Sequence, residues 1–212
     1  MDTILVANSG SSSVKFQVFV VEDGGALKRQ LKGQVDGIGS RPRLRATGVD
    51  RAVLIDRIYE TEAIRDVPAA LSAAGAWLRE ELSINPIAVG HRVVHGGPDY
   101  DHAVRVTADV LQRLERYVSL APLHQPYNLA PMRSILTRFP DLPQVACFDT
   151  AFHRTHSALA DYYALPRKLH DEGVRRYGFH GLSYEYIASA LPQIAPGIAA
   201  KRVIVAHLGS GA

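Results

Sequence analysis

Cysteine is nearly missing: the 212-residue chain has one, Cys147. A lone thiol excludes a disulfide framework and fits a reducing compartment. Long apolar runs are missing too, and nothing approaches the ~18 uninterrupted apolar residues of a membrane span. The N-terminus lacks the basic start of a secretory leader. Asp2 stands there, and polar Asn8-Ser9-Gly10-Ser11 interrupts the apolar run too early. No sign of charge dominates: Lys+Arg 24 against Asp+Glu 21 leaves +3. So weak a field does not mark a nucleic-acid-binding face, which needs clustered basic residues. The absences predict a cytoplasmic protein that neither spans a membrane nor binds nucleic acid.

What is present is ordinary for a globular chain, with 47% hydrophobic and 21% charged residues. That excludes a disordered tail, a collagenous repeat and a coiled coil. The length suits one domain or two, at roughly 100–200 residues each, and is ample for a buried core.

The chain opens strand, turn, strand. Ile4–Ala7 is a short apolar run, and Asn8–Ser13 is a turn cluster. Val14, Phe16, Val18 and Val20 then recur with a period of two. Leu27–Val35 and Leu44–Tyr59 predict further strands. Arg41, Arg43 and Arg45 fall on one strand face, as an anion patch or as a solvated edge that resists aggregation. Pro68–Leu82 predicts a helix with Pro near its start. Ala108–Tyr117, Leu129–Phe139 and Ser183–Leu191 predict others, the last capped by Ser183. Ile87–His95 is apolar and extended; Val145–Phe148 and Val203–Ala206 read as buried strands. Strands followed by alternating helix and strand predict an α/β sheet. Ile4–Ser11 also resembles Ile204–Ser210. Read as a duplication, the chain would stop inside a second hairpin, and a piece of a longer protein is expected.

Several segments carry chemistry. In Asn8-Ser9-Gly10-Ser11-Ser12-Ser13-Val14-Lys15, small residues let a backbone approach an anion, and Lys15 adds a charge. The alternative is a plain hairpin turn. It is not a Walker A loop. Gly90-His91-Arg92-Val93-Val94-His95-Gly96-Gly97 embeds one arginine and two histidines in an apolar strand. Arginine is rarely buried unless paired, and its fork suits carboxylate or phosphate. The histidines read as metal ligands without an evident third, or as satisfied core and turn residues. His124 sits in a Pro-punctuated loop that opens a helix, as a ligand contact or a plain loop residue. Asp149 ends a buried strand, where ligands of open α/β sheets sit. Tyr177-Gly178-Phe179-His180-Gly181 isolates a histidine, and His207–Ala212 looks like a second phosphate loop.

Together these blocks resemble the acetate kinase family of the sugar-kinase, actin and heat-shock ATPase superfamily. Asn8–Lys15, Gly90–Gly97, Ala121–Asn128, Phe148–His153, Tyr177–Ser183 and His207–Ala212 occur in the family's order along the whole chain. The resemblance implies a ribonuclease H-like domain with a mixed five-stranded sheet and flanking helices, plus the start of a second similar domain. Residues 1–150 would hold acetate and the first phosphate loop. Residues 151–212 would lead into a nucleotide-binding domain. The chain would be the N-terminal half of such an enzyme, inactive alone.

The resemblance also implies residue roles. Asn8 would help place Mg²⁺ (or Mn²⁺), and Ser11, Ser13 and Lys15 would form the first phosphate loop. Arg92 would bind the acetate carboxylate or the moving phosphoryl group. His124 and His180 would stabilise the transferring oxygens. Val94, Leu123 and Phe179 would shape a methyl pocket. His207, Leu208, Gly209, Ser210 and Gly211 would contact the phosphates of ATP. Asp149 matches the position usually called the acid/base. A carboxylate substrate is already ionised at neutral pH. Asp149 therefore reads as an electrostatic or metal-shell residue, or one that orients Arg92. Gln125, Tyr184 and Ser210 depart from the family pattern. A homodimer is implied by analogy. The alternatives are a propionate or other short-chain acyl kinase, and a non-catalytic fragment that keeps an anion site. A metal hydrolase built on the nine histidines fits poorly, because no H-E-x-x-H spacing appears.

Overall fold

The computed structural model describes residues 1–209, and the chain divides into two compact units. The first comprises Met1–Val93 and Val104–Cys147; the second comprises Val94–Ala103 and Phe148–Ala212.

The first unit is built on one sheet. Its strands are β1 (Thr3–Ser9), β2 (Ser13–Val21), β3 (Leu27–Asp36), β4 (Arg43–Gly48), β5 (Val53–Ile58), β6 (Ala88–Val93), β7 (Val104–Arg105) and β8 (Gln144–Phe148). The order is β5-β4-β3-β2-β1-β6-β8-β7. The sheet is mixed, antiparallel from β1 to β5 and parallel between β1 and β6. It has eight strands rather than the expected five. Two of the additional strands arise because Leu44–Tyr59 folds back on itself as β4 and β5, and because two-residue β7 adds an edge too short to carry a period.

The period of two in β2 places Val14, Phe16 and Val18 inward, beside Leu5 and Ala7 of β1. Helix α1 (Val67–Glu80) covers that face with Val67, Ala70, Leu71, Ala74, Trp77 and Leu78. The Trp77 and Phe16 rings lie 6.4 Å apart at 60°. Burying each such large side chain stabilises by about 1.5–3 kcal/mol. The start of α1 follows from its sequence: the Asp66 side chain accepts from the Ala69 N–H at 2.8 Å, and Pro68 occupies the first turn. Helices α2 (Ala108–Glu115) and α3 (Gln125–Arg138) complete this unit, and α3 packs on α1, α2, β1 and β6.

The arginines of β4 form neither an anion patch nor a sheet edge. β4 is an interior strand. Arg43 makes a two-pronged pair with Asp56 of β5, both contacts 2.6 Å, and Arg45 reaches Asp36 of β3 at 3.1 Å. Arg41 precedes the strand. These exposed pairs set cross-strand register more than stability.

In the second unit, Tyr100 stacks on Phe148 with centroids 5.1 Å apart, and the Gly96 N–H donates to Thr150 Oγ1 at 3.0 Å. Its helices are α4 (Ala158–Asp161), α5 (Arg167–Asp171), α6 (Gly181–Ile194) and α7 (Pro196–Ala199). Ser183 does not cap α6. The cap position is His180, in the left-handed region at φ 58°, and the helix begins two residues earlier than expected. Val203–Ala206 is not a strand either: no strand occurs among the described residues after Phe148, and Ile204 is 97% exposed. An apolar run becomes a strand only with a partner for its ladder, and the described residues offer none. No helix among the described residues is long and apolar enough to cross a membrane.

Two histidines belong to the interior. His91 of β6 donates through Nε2 to Gln144 Oε1 at 2.9 Å, and Gln144 Nε2 donates to the Met132 carbonyl at 3.3 Å. Burial pushes His91 down to about 4, against a smaller opposing effect of the Gln144 bond, and burial pushes His95 down to about 4. Both are neutral in the folded state, and His95 Nδ1 accepts the Gly97 N–H at 2.8 Å. The unfolded chain protonates each near its ordinary value of about 6.5. The stability they contribute is therefore complete above about pH 6.5 and is lost as pH falls toward about 4, at up to ~1.4 kcal/mol per pH unit for each. Denaturant melts across this range should show that slope. His91→Gln should reduce it, and an unchanged slope would show that His91 does not titrate on unfolding.

Candidate functional site

Parallel pairing of β1 with β6, in register Ile4↔Ala88 to Ala7↔His91, brings both carboxyl ends to one edge. There Arg92, half-buried in β6, donates from Nη1 to Asn8 Oδ1 at 3.2 Å. Asn8 pairs in turn with Lys15 across β1 and β2. The intervening turn is closed by the Gly10 N–H on the Ser13 carbonyl at 2.8 Å. Ser11 is exposed in the turn, Ser13 opens β2, and Lys15 projects to solvent. One amide, one guanidinium, one ammonium and two hydroxyls thus share one short edge, a donor-rich arrangement that suits an anion.

His124 occupies the cap position of α3 with φ −127° and makes no side-chain cap bond. Leu123 beside it is 76% exposed. One turn on, buried Asn128 donates from Nδ2 to the Ser9 carbonyl at 2.7 Å. Sequence reasoning placed Asn128 in a block but gave it no task. A polar residue in the first turn of a helix with an apolar face was the available signal.

In the second unit Asp149 is buried at the carboxyl end of β8. Its carbonyl accepts the Gly181 N–H at 2.8 Å. A Cβ on Gly181 would fall 2.2 Å from that oxygen, so only glycine permits the approach. His180 follows from this docking, held left-handed, with its ring stacked on His207 at 4.2 Å and 6°. Phe179 presents its carbonyl to His153 Nε2, which donates at 2.9 Å. A Cβ on Gly178 would strike the His153 ring at 2.3 Å. Val94 is buried, Phe179 is 40% exposed, and both lie in this unit. The rings of Phe179 and Tyr177 meet His95 edge-on at 5.6 and 4.4 Å. Burial raises the Tyr177 hydroxyl above its ordinary value. Leu208 is exposed and Gly209 has φ 150°; Ser210 and Gly211 lie outside the described residues.

The structure therefore joins Asn8, Lys15 and Arg92 in the first unit, and Asp149, His180 and His207 in the second. No group of three or more His, Cys, Asp or Glu that could hold a metal occurs among the described residues. His91 and His95 are core and turn residues with partners of their own. The donor set near Asn8 fits Mg²⁺ only as an ion carried largely by phosphate oxygens and water, with one protein amide as a further contact.

The family model described as the acetokinase family matches residues 3–212. An acetate kinase of Nitrobacter hamburgensis is 70% identical over all 212 residues, which cover 52% of that protein. The acetate kinase of Rhizobium meliloti is 60% identical over the whole chain, covering 54% of its length. Among solved structures, a propionate kinase from Francisella tularensis shares 33% identity and a TM-score of 0.81, over 92% of this chain and 50% of that one. The acetate kinase of Porphyromonas gingivalis gives 31% and 0.80, over 92% and 49%. The chain spans about half the length of the curated relatives it matches. With the match running through both units and every block of the edge just described, the chain belongs to the acetokinase family.

Proposed function

We propose that the protein is an acetate kinase, moving the γ-phosphoryl group of ATP to acetate and, in reverse, from acetyl phosphate to ADP. The observation that carries this reading is Arg92, a half-buried guanidinium in an apolar strand, bonded to Asn8 at the lip of the Gly10–Ser12 turn. Because the matched relatives are about twice as long, the activity is proposed for a chain of their length. Residues 1–212 alone are expected not to catalyse net transfer.

In the forward step an acetate oxygen attacks the γ-phosphorus, and the bond to the β-phosphate oxygen breaks, releasing ADP. The attacking carboxylate is ionised at neutral pH and needs no base. The protein's work is positioning and charge stabilisation. Arg92 pairs with the carboxylate or the moving phosphoryl group. His124 and His180 donate to the transferring oxygens. Ser11, Ser13 and Lys15 hold phosphate oxygens, as do His207–Gly211. Asp149 orients cationic groups rather than taking a proton. Mg²⁺ or Mn²⁺ would supply charge neutralisation when bound, and Asn8 is the residue of this chain that would help hold it. Residues 1–150 hold the acetate side, and 151–212 lead into the nucleotide domain. A cytoplasmic homodimer is the form proposed.

The resemblance to a solved propionate kinase supports a second reading, a short-chain acyl kinase of similar pocket. Val94, Leu123 and Phe179 would leave room for one or two carbons beyond the carboxylate. One methylene changes affinity by only ~1–3 kcal/mol. Acetate and propionate should both be phosphorylated and longer acids progressively less, measured by hydroxamate trapping of the acyl phosphate. Hexanoate used as well as acetate would remove these residues from the pocket.

Arg92→Ala, in the protein expressed from its own gene, should cost about 2–4 kcal/mol in kcat/KM, as for loss of one preorganised donor. Unchanged kcat/KM in a folded variant would take Arg92 out of the reaction.

A further inference from the structure

The parallel ladder between β1 and β6 ends at Ala7↔His91, yet β1 runs on to Ser9 against β2 alone. Beyond that point Asn128 supplies a donor: its Nδ2 gives a 2.7 Å bond to the Ser9 carbonyl. The opposite end of the same peptide unit, the Gly10 N–H, donates to the Ser13 carbonyl at 2.8 Å. The Ser9–Gly10 peptide plane is therefore fixed at both ends, and the Gly10–Ser12 turn starts from it. Sterics add little restraint, since a Cβ on Gly10 would meet nothing closer than the Ser13 carbonyl at 3.7 Å. An unanchored glycyl peptide rotates readily. Asn128 itself is rigid: it is 2% exposed, and its own N–H donates to the His124 carbonyl at 3.0 Å. One helical turn thus carries His124 at its cap and grips the neighbouring turn through Asn128.

We propose that Asn128 is a positioning residue whose carboxamide sets the Ser9–Gly10 peptide plane, and so aims the Gly10–Ser12 turn at the phosphate groups of the nucleotide. The proposal rests on reading Asn8–Lys15 as a phosphate loop. Amide and hydroxyl donors stabilise a phosphate in proportion to their preorganisation. A peptide plane free to turn lets those donors point elsewhere until the ligand reorders them. The cost falls on nucleotide binding, not on acetate.

Two variants separate this role from plain packing. Asn128→Leu keeps the volume and removes the donor. Asn128→Asp keeps the shape. When ionised its oxygens face the Ser9 carbonyl without a proton; when protonated its hydroxyl donates to it. Burial raises a carboxyl pKa, so the Asp variant regains the bond as pH falls from about 8 to about 5.5. In the protein expressed from its own gene, both variants should raise KM for ATP roughly tenfold at about pH 8, with KM for acetate nearly unchanged. Relative to wild type, the Asp variant should recover at low pH and the Leu variant should not. Hydrogen exchange over residues 9–13 should quicken in both at high pH, while the β1–β2 amides at Leu5 and Val18 stay protected.

Wild-type KM and wild-type exchange in the Leu variant would overturn the proposal. So would an Asp variant whose defect ignores pH, or exchange that quickens equally at Leu5 and Val18, the mark of a merely structural bond. If the Leu variant does not fold, the pH series of the Asp variant decides alone. If wild type phosphorylates no acetate, the reading as a kinase fails, while exchange at residues 9–13 still decides whether Asn128 holds the turn.

Discussion

The first unit depends on the parallel pairing of β1 with β6. Parallel neighbours cannot be joined by a tight turn and need a crossover. Here the connection takes β2 to β5 and α1 before the chain returns, and α1 lays Trp77 over Phe16 on the way. Once Ala7 faces His91, the carboxyl ends of both strands are fixed, and Asn8 and Arg92 have little choice but to meet. The half-buried guanidinium that would be a liability elsewhere is thereby paired by the register itself.

The same register explains what was legible in the sequence and what was not. The proline near the start of α1 and the inward Val14, Phe16 and Val18 follow from rules acting over a few residues, and all are present as expected. The blocks holding Asn8, Arg92, His124, Asp149 and His180 stood out for a like reason, because polar groups inside apolar runs are costly without a task. Partnership between distant segments was not legible. Val203–Ala206 has the composition of a strand but no ladder partner among the described residues. β4 looked like an edge because nothing local announces that β5 folds back beside it. Ser183 looked like a cap, but the Gly181 N–H is claimed by the Asp149 carbonyl, so the helix must begin earlier.

Histidine shows how far burial decides chemistry when sequence cannot. His91 and His124 are the same side chain in two neighbouring blocks. His91 is sealed against Gln144, held neutral down to about 4, and serves the core. His124 stands exposed at the start of α3 with no cap bond of its own. Nine histidines invite a metal reading, but the interior ones spend their nitrogens on Gln144 and on the Gly97 N–H. The other seven are partly or fully exposed.

Both units solve the end of a buried strand in one way. Past the last rung of a ladder a carbonyl loses its neighbour, and an unmet buried carbonyl costs free energy. In the first unit the Ser9 carbonyl is met by Asn128, from the first turn of α3. In the second the Asp149 carbonyl is met by the Gly181 N–H, the first residue of α6. Each bond draws a helix N-terminus to a strand's carboxyl end, and helix N-termini present unsatisfied N–H groups and a positive dipole end. His124 and His180 stand at those two cap positions because the bonds that satisfy the strand ends lie within one turn of them. Satisfying a strand end and setting a helix N-terminus beside it are, in this fold, the same structural act. A substitution that leaves either carbonyl unmet therefore weakens the strand end and misaims the histidine in a single step.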